Sequence, residues 1–352
     1  MVRAVHFNHG DWDRLSNNIH SISKRRVAKM MAKISVLCTL GTDADLFHIS
    51  KTVTGLCQLE AQNLIELKLK RSPDIGQHSI MLELDHSQVG IDLSDHSDKI
   101  QPDLSNCNLY FKRCVRPDDL KHSNRLRSFG LNYSCRSRNS SLRLLTLFGA
   151  SDVVRRPTVW KKFLCIPLIK EFERKPDNPA SPTILFQARL WDPIECPGDE
   201  QVNEDRVGLL LTLRREFKER VVGGLVPTTY AQRHHHDLLT TLPSRQSKYV
   251  RWAREHLICI GFRGLFGSLG FKIAEALAAS QCLISEPTVA YLPIDVPIAK
   301  YHSMDECVAK CEHYLSHSED AKQLRKLAWQ YYQSAVEPSA HMNQLLNCVK
   351  DG

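Results

Sequence analysis

Residues 257–286, LICIGFRGLFGSLGFKIAEALAASQCLISE, set three glycines, a serine, a lysine and a glutamate between two apolar runs. The pattern reads as a buried strand, a Gly-rich turn, a helix and a second buried strand. Such a unit points backbone N–H groups and a helix N-terminus at a place where a phosphate can sit. Gly264, Gly267 and Gly270 punctuate the turn, and glycine lets the backbone approach a ligand closely. Ser268 is expected to cap the helix that follows. Phe271, Ala274, Leu277 and Ala278 form a core stripe, while Ser268, Lys272 and Glu275 recur at i, i+4, i+7 and share another face. A hydroxyl, a cation and a carboxylate on one face suit a nucleotide. The lysine would offset diphosphate charge, and the carboxylate would accept hydrogen bonds from a ribose diol. A capped helix with an exposed Lys–Glu pair fits the same spacing.

A second chemistry competes for these residues. Gly261-x-x-Gly264-x-x-Gly267 follows a strand, and Glu286 ends the next one. That imitates the fingerprint of an NAD(P)-dependent oxidoreductase, with the acid on the adenosine ribose. The glycine spacing is not GxGxxG, however, and the unit lies late in the chain.

Other constellations are poorer. His234, His235 and His236 are consecutive and cannot share a helical face. Cys307 and Cys311 sit at i, i+4 with His302 and His313 nearby, a spacing that buried packing explains. No acid, His and Cys cluster has ligand spacing, so no metal is expected. There is no GxSxG elbow and no complete P-loop. The 12 cysteines include no CxxC pair and many lie in apolar runs, as reduced thiols of a cytosolic protein do. A net charge of +8 is modest for 352 residues, and the 7% aromatics are not interleaved with basic residues. Nucleic acid is therefore not an expected partner.

The elements that must position these residues fall into two halves, as 352 residues allow. Residues 23–37, SKRRVAKMMAKISVL, have helical periodicity with a basic face. That predicts an amphipathic helix, docked on its own domain or peripheral to an anionic membrane surface. A helix over 45–61 and strands near 64–69, 80–84, 89–93 and 108–112 follow. A Pro-rich, mixed-charge stretch then reads as an interdomain linker. Beyond it come a strand at 184–187, a helix at 204–217, a strand at 221–226, helices across 230–255, the Gly-rich unit, and two closing helices near 304–315 and 319–336. Alternating strands and helices imply parallel sheets covered on both faces. The expected division is an N-terminal α/β domain over 1–165, a linker over 166–182 and a C-terminal Rossmann-like domain over 183–352. No apolar run reaches the length of a membrane span. The expected location is cytoplasmic, with peripheral contact at the inner face of the membrane as an extension.

With ILFQARLWDP (184–193), VVGGLVPTTYAQ (221–232), GLFGSLGFKIAEALAAS (264–280) and YHSMDECVAKCEHYLSH (301–317) in place, the chain resembles bacterial glycosyltransferases of the GT-B fold. GIDLSDHSD (90–98), LYFKR (109–113) and FGLNY (129–133) extend the resemblance upstream. It implies two Rossmann-like domains facing across a cleft, and transfer of a sugar from a nucleotide-sugar donor to a glycan or lipid-linked acceptor. Within it, Glu275 matches the glutamate that holds the donor ribose and Arg189 the arginine at the donor diphosphate. Lys272 is a second phosphate ligand, beside Gly267 and Ser268. Ile194 stands where many retaining members carry a lysine, and Gly267 where many carry a second glutamate. Those departures imply an altered donor pocket or a binding protein without turnover. Positive groups would stabilise the leaving diphosphate, so no metal or other cofactor is required by this logic. An inverting reaction would need a base from the first half. Asp95 and His96 are candidates, and Lys112, Arg113 and Asn132 are candidates for the cleft lining.

Overall fold

The computed structural model describes residues 33–350 except 85–86, 97–100, 102–103, 195–199, 244–245, 265–266 and 293–295. It is an α/β protein with two sheets, as expected. The first half begins with β1 (Ile34–Gly41), α1 (Leu46–Ala61), β2 (Ile65–Ser72), β3 (Ser79–Leu84) and β4 (Ser87–Asp92). It continues with β5 (Leu109–Lys112), α2 (Pro117–Lys121) and β6 (Leu126–Ser128). Strand order is β2-β1-β3-β4-β5-β6, all parallel except β3, which runs antiparallel to both neighbours. Sequence periodicity found β2, β3, β4 and β5 but not β1, β6 or the reversal. A hairpin joins β3 to β4, and that short connection turns the chain back.

Residues 34–37 correct one expectation. They belong to β1, so the predicted helix over 23–37 cannot reach its expected end. Residues 23–32, with most of the basic face, lie outside the described residues. β1 pairs with β2 on one side and β3 on the other, and residues 38–41 are buried throughout, as in an interior strand covered on both faces.

Three helices connect the sheets: α3 (Arg138–Arg155), α4 (Pro157–Leu164) and α5 (Ile169–Phe172). The sequence reading placed no helices here. Pro157 opens α4 at its first turn, where a missing N–H costs nothing. Asp152 accepts from Arg155, Arg156 and the Trp160 indole, and so fixes the corner between α3 and α4.

The second half holds β7 (Ser181–Ala188), α6 (Glu200–Phe217), β8 (Val221–Leu225), α7 (Thr229–His234), α8 (Gln246–Ala253) and β9 (His256–Gly261). After it come α9 (Phe271–Ala278), β10 (Cys282–Ser285), β11 (Ala299–Lys300), α10 (Met304–Ser316) and α11 (Ser318–Tyr331). Its sheet is wholly parallel in the order β11-β10-β9-β7-β8, a doubly wound arrangement.

The chain ends on a third helix where two were expected. A π-helical turn (Tyr332–Val336) leads into α12 (Pro338–Lys350). Met342, Leu345 and Leu346 of α12 join the core of the first half. Gly55 of α1 makes this possible, since a Cβ there would stand 2.2 Å from the Pro338 carbonyl oxygen. Beneath the contact, the buried Lys51 ammonium reaches the Leu131 carbonyl and, at 2.7 Å, His341 Nδ1. No described helix is long and apolar enough to cross a membrane.

Candidate functional site

In the second sheet, β7 and β9 are neighbours. The chain leaves β7 toward β8 on one side, and leaves β9 toward β10 and β11 on the other. The two connections diverge, opening a crevice at the carboxyl ends of these strands, where ligands of doubly wound sheets bind. The loop after β7 carries Arg189. The loop after β9 carries Arg263 and the Gly-rich turn. Buried Arg206 of α6 ties the rims together, donating to the Arg189 and Arg263 carbonyls at 2.6 Å each. Its guanidinium lies 4.3 Å from the Trp191 ring. Asn203 holds Trp191 by both backbone groups.

The rim carries two arginines. The Arg189 side chain is exposed. Arg263 is partly neutralised by Asp205 at 3.1 Å and Glu286 at 3.6 Å. Glu286 also accepts the Arg263 N–H at 3.2 Å, so the acid assigned to a dinucleotide ribose is already engaged by its own loop.

The turn itself departs from expectation in one respect. Ser268 does not cap α9: the N-cap is Gly270, with no side-chain hydrogen bond. Ser268 is buried, and its carbonyl accepts from the Gly264 N–H at 2.8 Å, closing the turn upon itself. Gly267 adopts φ 71°, a conformation that an L side chain resists.

Lys272 and Glu275 do come together, on the face of α9 that meets α8. They line a narrow recess with Phe172, Tyr249 and Cys259. The Lys272 ammonium donates to the Tyr249 hydroxyl at 2.6 Å and lies 4.5 Å from its ring centre. Burial pushes the Lys272 pKa down, and Glu275 partly offsets this. Burial pushes the Glu275 carboxyl up, against Lys272 and a hydrogen bond from Gln246. Among the described residues, no hydrogen bond or ion pair joins this pair to Arg189.

The first-half candidates separate. Lys112 is buried and paired with the fully buried Asp92 at 2.7 Å. That places it in the core under the cleft wall. Asn132 is also buried, its amide donating to the His48 carbonyl at 3.0 Å. Arg113 does stand between the halves. It donates to Asp95 at 2.6 Å and to the Leu269 carbonyl of the Gly-rich turn, and its guanidinium lies 4.5 Å from the Phe271 ring centre. Asp95 is thus the partner of Arg113, while His96 beside it is exposed.

Three residues were missed. Asp45 is the N-cap of α1, His48 lies in the first turn, and His78 precedes β3. His48 Nδ1 is 2.9 Å and His78 Nε2 3.7 Å from the same Asp45 Oδ2. Phe47 stacks on Phe271 at 5.7 Å, and the His48 ring meets Phe271 edge-on at 5.6 Å. The cluster therefore faces the start of α9 across the interface. Asp45 and His48 could be read from sequence as an i, i+3 pair at a helix start. Nothing local points to His78.

No family model and no curated protein matches the chain. Among solved structures it is similar to an alpha1,3-fucosyltransferase at 11% identity, over 87% of this chain and 85% of that one, with a TM-score of 0.41. It is similar to an alpha-glucosyltransferase in complex with UDP and a 13-mer DNA at 12% identity, over 91% and 100%, with a TM-score of 0.41. An alpha1,3-fucosyltransferase with GDP matches at 10% identity over 88% and 87%, with a TM-score of 0.38. Scores this low leave the functional argument to the geometry.

Proposed function

We propose that the protein is a glycosyltransferase that takes a nucleotide sugar in the crevice between the β7 and β9 loops and transfers the sugar to a glycan or lipid-linked acceptor. One observation carries the reading. The two diverging loops, tied by Arg206, carry Arg189, Arg263 and the Gly-rich turn at one crevice, and the first half meets that turn through Arg113 on the Leu269 carbonyl and His48 against Phe271. The rim cations and the N–H groups of the turn suit a diphosphate, and stabilise negative charge as it develops on the leaving group. Arg189 is the phosphate contact in this reading and Glu275 the ribose contact. Lys272 must exchange Tyr249 for a phosphate oxygen to take part.

That requirement favours a second reading, a nucleotide- or glycan-binding protein without turnover. Lys272 already donates to Tyr249 and Glu275 already accepts from Gln246, and Ile194 and Gly267 supply no replacement charge.

Thermal shift against UDP, GDP, CMP and dTDP sugars, with NAD and NADP alongside, tests both. Stabilisation by one nucleotide-sugar class is expected, with affinity falling about 10- to 100-fold in Arg189→Ala and in Glu275→Ala. Product formation from the same donor separates transfer from binding alone. Stabilisation by NAD or NADP only would sink the transferase reading.

A further inference from the structure

We propose that Asp45, His48 and His78 form a binding site for a divalent transition-metal ion, with Zn²⁺ the best match to the ligand chemistry. Two imidazole nitrogens and one carboxylate oxygen are an established donor set for zinc. The three ligand atoms lie within 4.8 Å of one another. Tetrahedral bonds of about 2.0–2.1 Å put neighbouring donors about 3.3 Å apart. The observed 2.9 Å and 3.7 Å separations from Asp45 Oδ2 bracket that spacing, so small side-chain rotations would complete the geometry.

The fold holds the donors in place before any ion arrives. Asp45 Oδ1 accepts the Phe47 N–H at 2.9 Å, which leaves Oδ2 for the cluster. The Asp45 N–H donates to the Gln77 carbonyl at 2.8 Å, and the His78 carbonyl accepts from Leu93 at 2.9 Å. Asp45 and the turn bearing His78 are thereby tied through the backbone. A base relay would need one imidazole on the carboxylate; here two rings, 4.8 Å apart, aim nitrogens at one oxygen. The nearby Lys162 ammonium sits over the Phe47 ring at 4.6 Å rather than on the carboxylate. All three side chains are about one-quarter exposed, so a fourth ligand position is open to solvent or substrate. On metal binding the His48 proton moves from Nδ1 to Nε2, and His78 binds through Nε2.

The inference stands apart from the donor reading, because its test uses no nucleotide. Purified protein is stripped with EDTA, dialysed and titrated with Co²⁺. We expect one equivalent to give the visible bands of four-coordinate cobalt, bleached by Zn²⁺. His48→Ala and His78→Ala should each weaken binding by about 100-fold or more. His78 lies in a turn secured by backbone hydrogen bonds, so its variant carries the test if His48→Ala fails to fold. The control is His313→Ala, which removes the separate surface group of His313, His317 and Asp320, and should leave the bands intact. Absence of the bands would overturn the proposal and leave a metal-free Asp–His pair. So would bands that survive both histidine variants, or that vanish with His313→Ala.

Discussion

The Gly-rich turn of the second half and the facing wall of the first half are built in opposite ways. The turn, α9 and β10 are contiguous, and the side chains of α9 follow from helical spacing. The wall takes Asp45 and His48 from α1, His78 from a turn, Asp95 from the loop after β4 and Arg113 from the end of β5. A site drawn from one segment tolerates local change locally. A site drawn from several depends on the core that holds the strands in register.

The largest expected effect comes from breaking that core. Asp92 is fully buried and accepts from Lys112 and the Tyr110 hydroxyl at 2.7 Å each. Asp92→Ala leaves the buried Lys112 without its paired carboxylate and should cost about 3–5 kcal/mol, measured by urea unfolding. The wall should loosen with it. A loss below 1 kcal/mol would mean the wall does not rest on this pair.

A smaller effect should appear with pH at the contact between α1 and α12. Burial lowers the Lys51 pKa from 10.5 to about 7. Between those values the unfolded chain binds more protons than the folded one, so stability rises with pH. From pH 7 to pH 8.5 the gain should be about 1–2 kcal/mol. The difference between wild type and Lys51→Met across that window isolates it. An identical pH slope in both proteins would remove Lys51 as the cause.

An effect no larger belongs to the contiguous site. Gly267→Ala forces a Cβ into the left-handed region and should cost about 1–2 kcal/mol. The Asp45–His48–His78 cobalt site should be untouched. Loss of both together would show that turn and wall are one cooperative unit, and would erase the contrast drawn between them.

Much of the second half was legible because hydrophobic period and glycine placement are local signals. The strands around 184–187 and 221–226, the Gly-rich turn and α9 all stand where the pattern puts them. Ser268 was misread because capping depends on where the chain enters the helix, and the turn delays that entry to Gly270. The helices from Arg138 to Leu164 were missed because Pro157 looks like a breaker unless its place in the first turn is known. Residues 34–37 were given to a helix because a basic helical period runs up to them, while pairing with β2 and β3 makes them part of β1.

By itself, the sequence determined the α/β class, most strands, and the grouping of Lys272 with Glu275, since residues three apart on a helix share a face whatever surrounds them. Only tertiary structure decided the rest. Burial turned Lys112 and Asn132 inward, the return of α12 onto α1 drew Lys51 and His341 together, and strand order brought His78 beside Asp45. None of these is encoded in a local period; each follows from which surfaces the chain buries against one another.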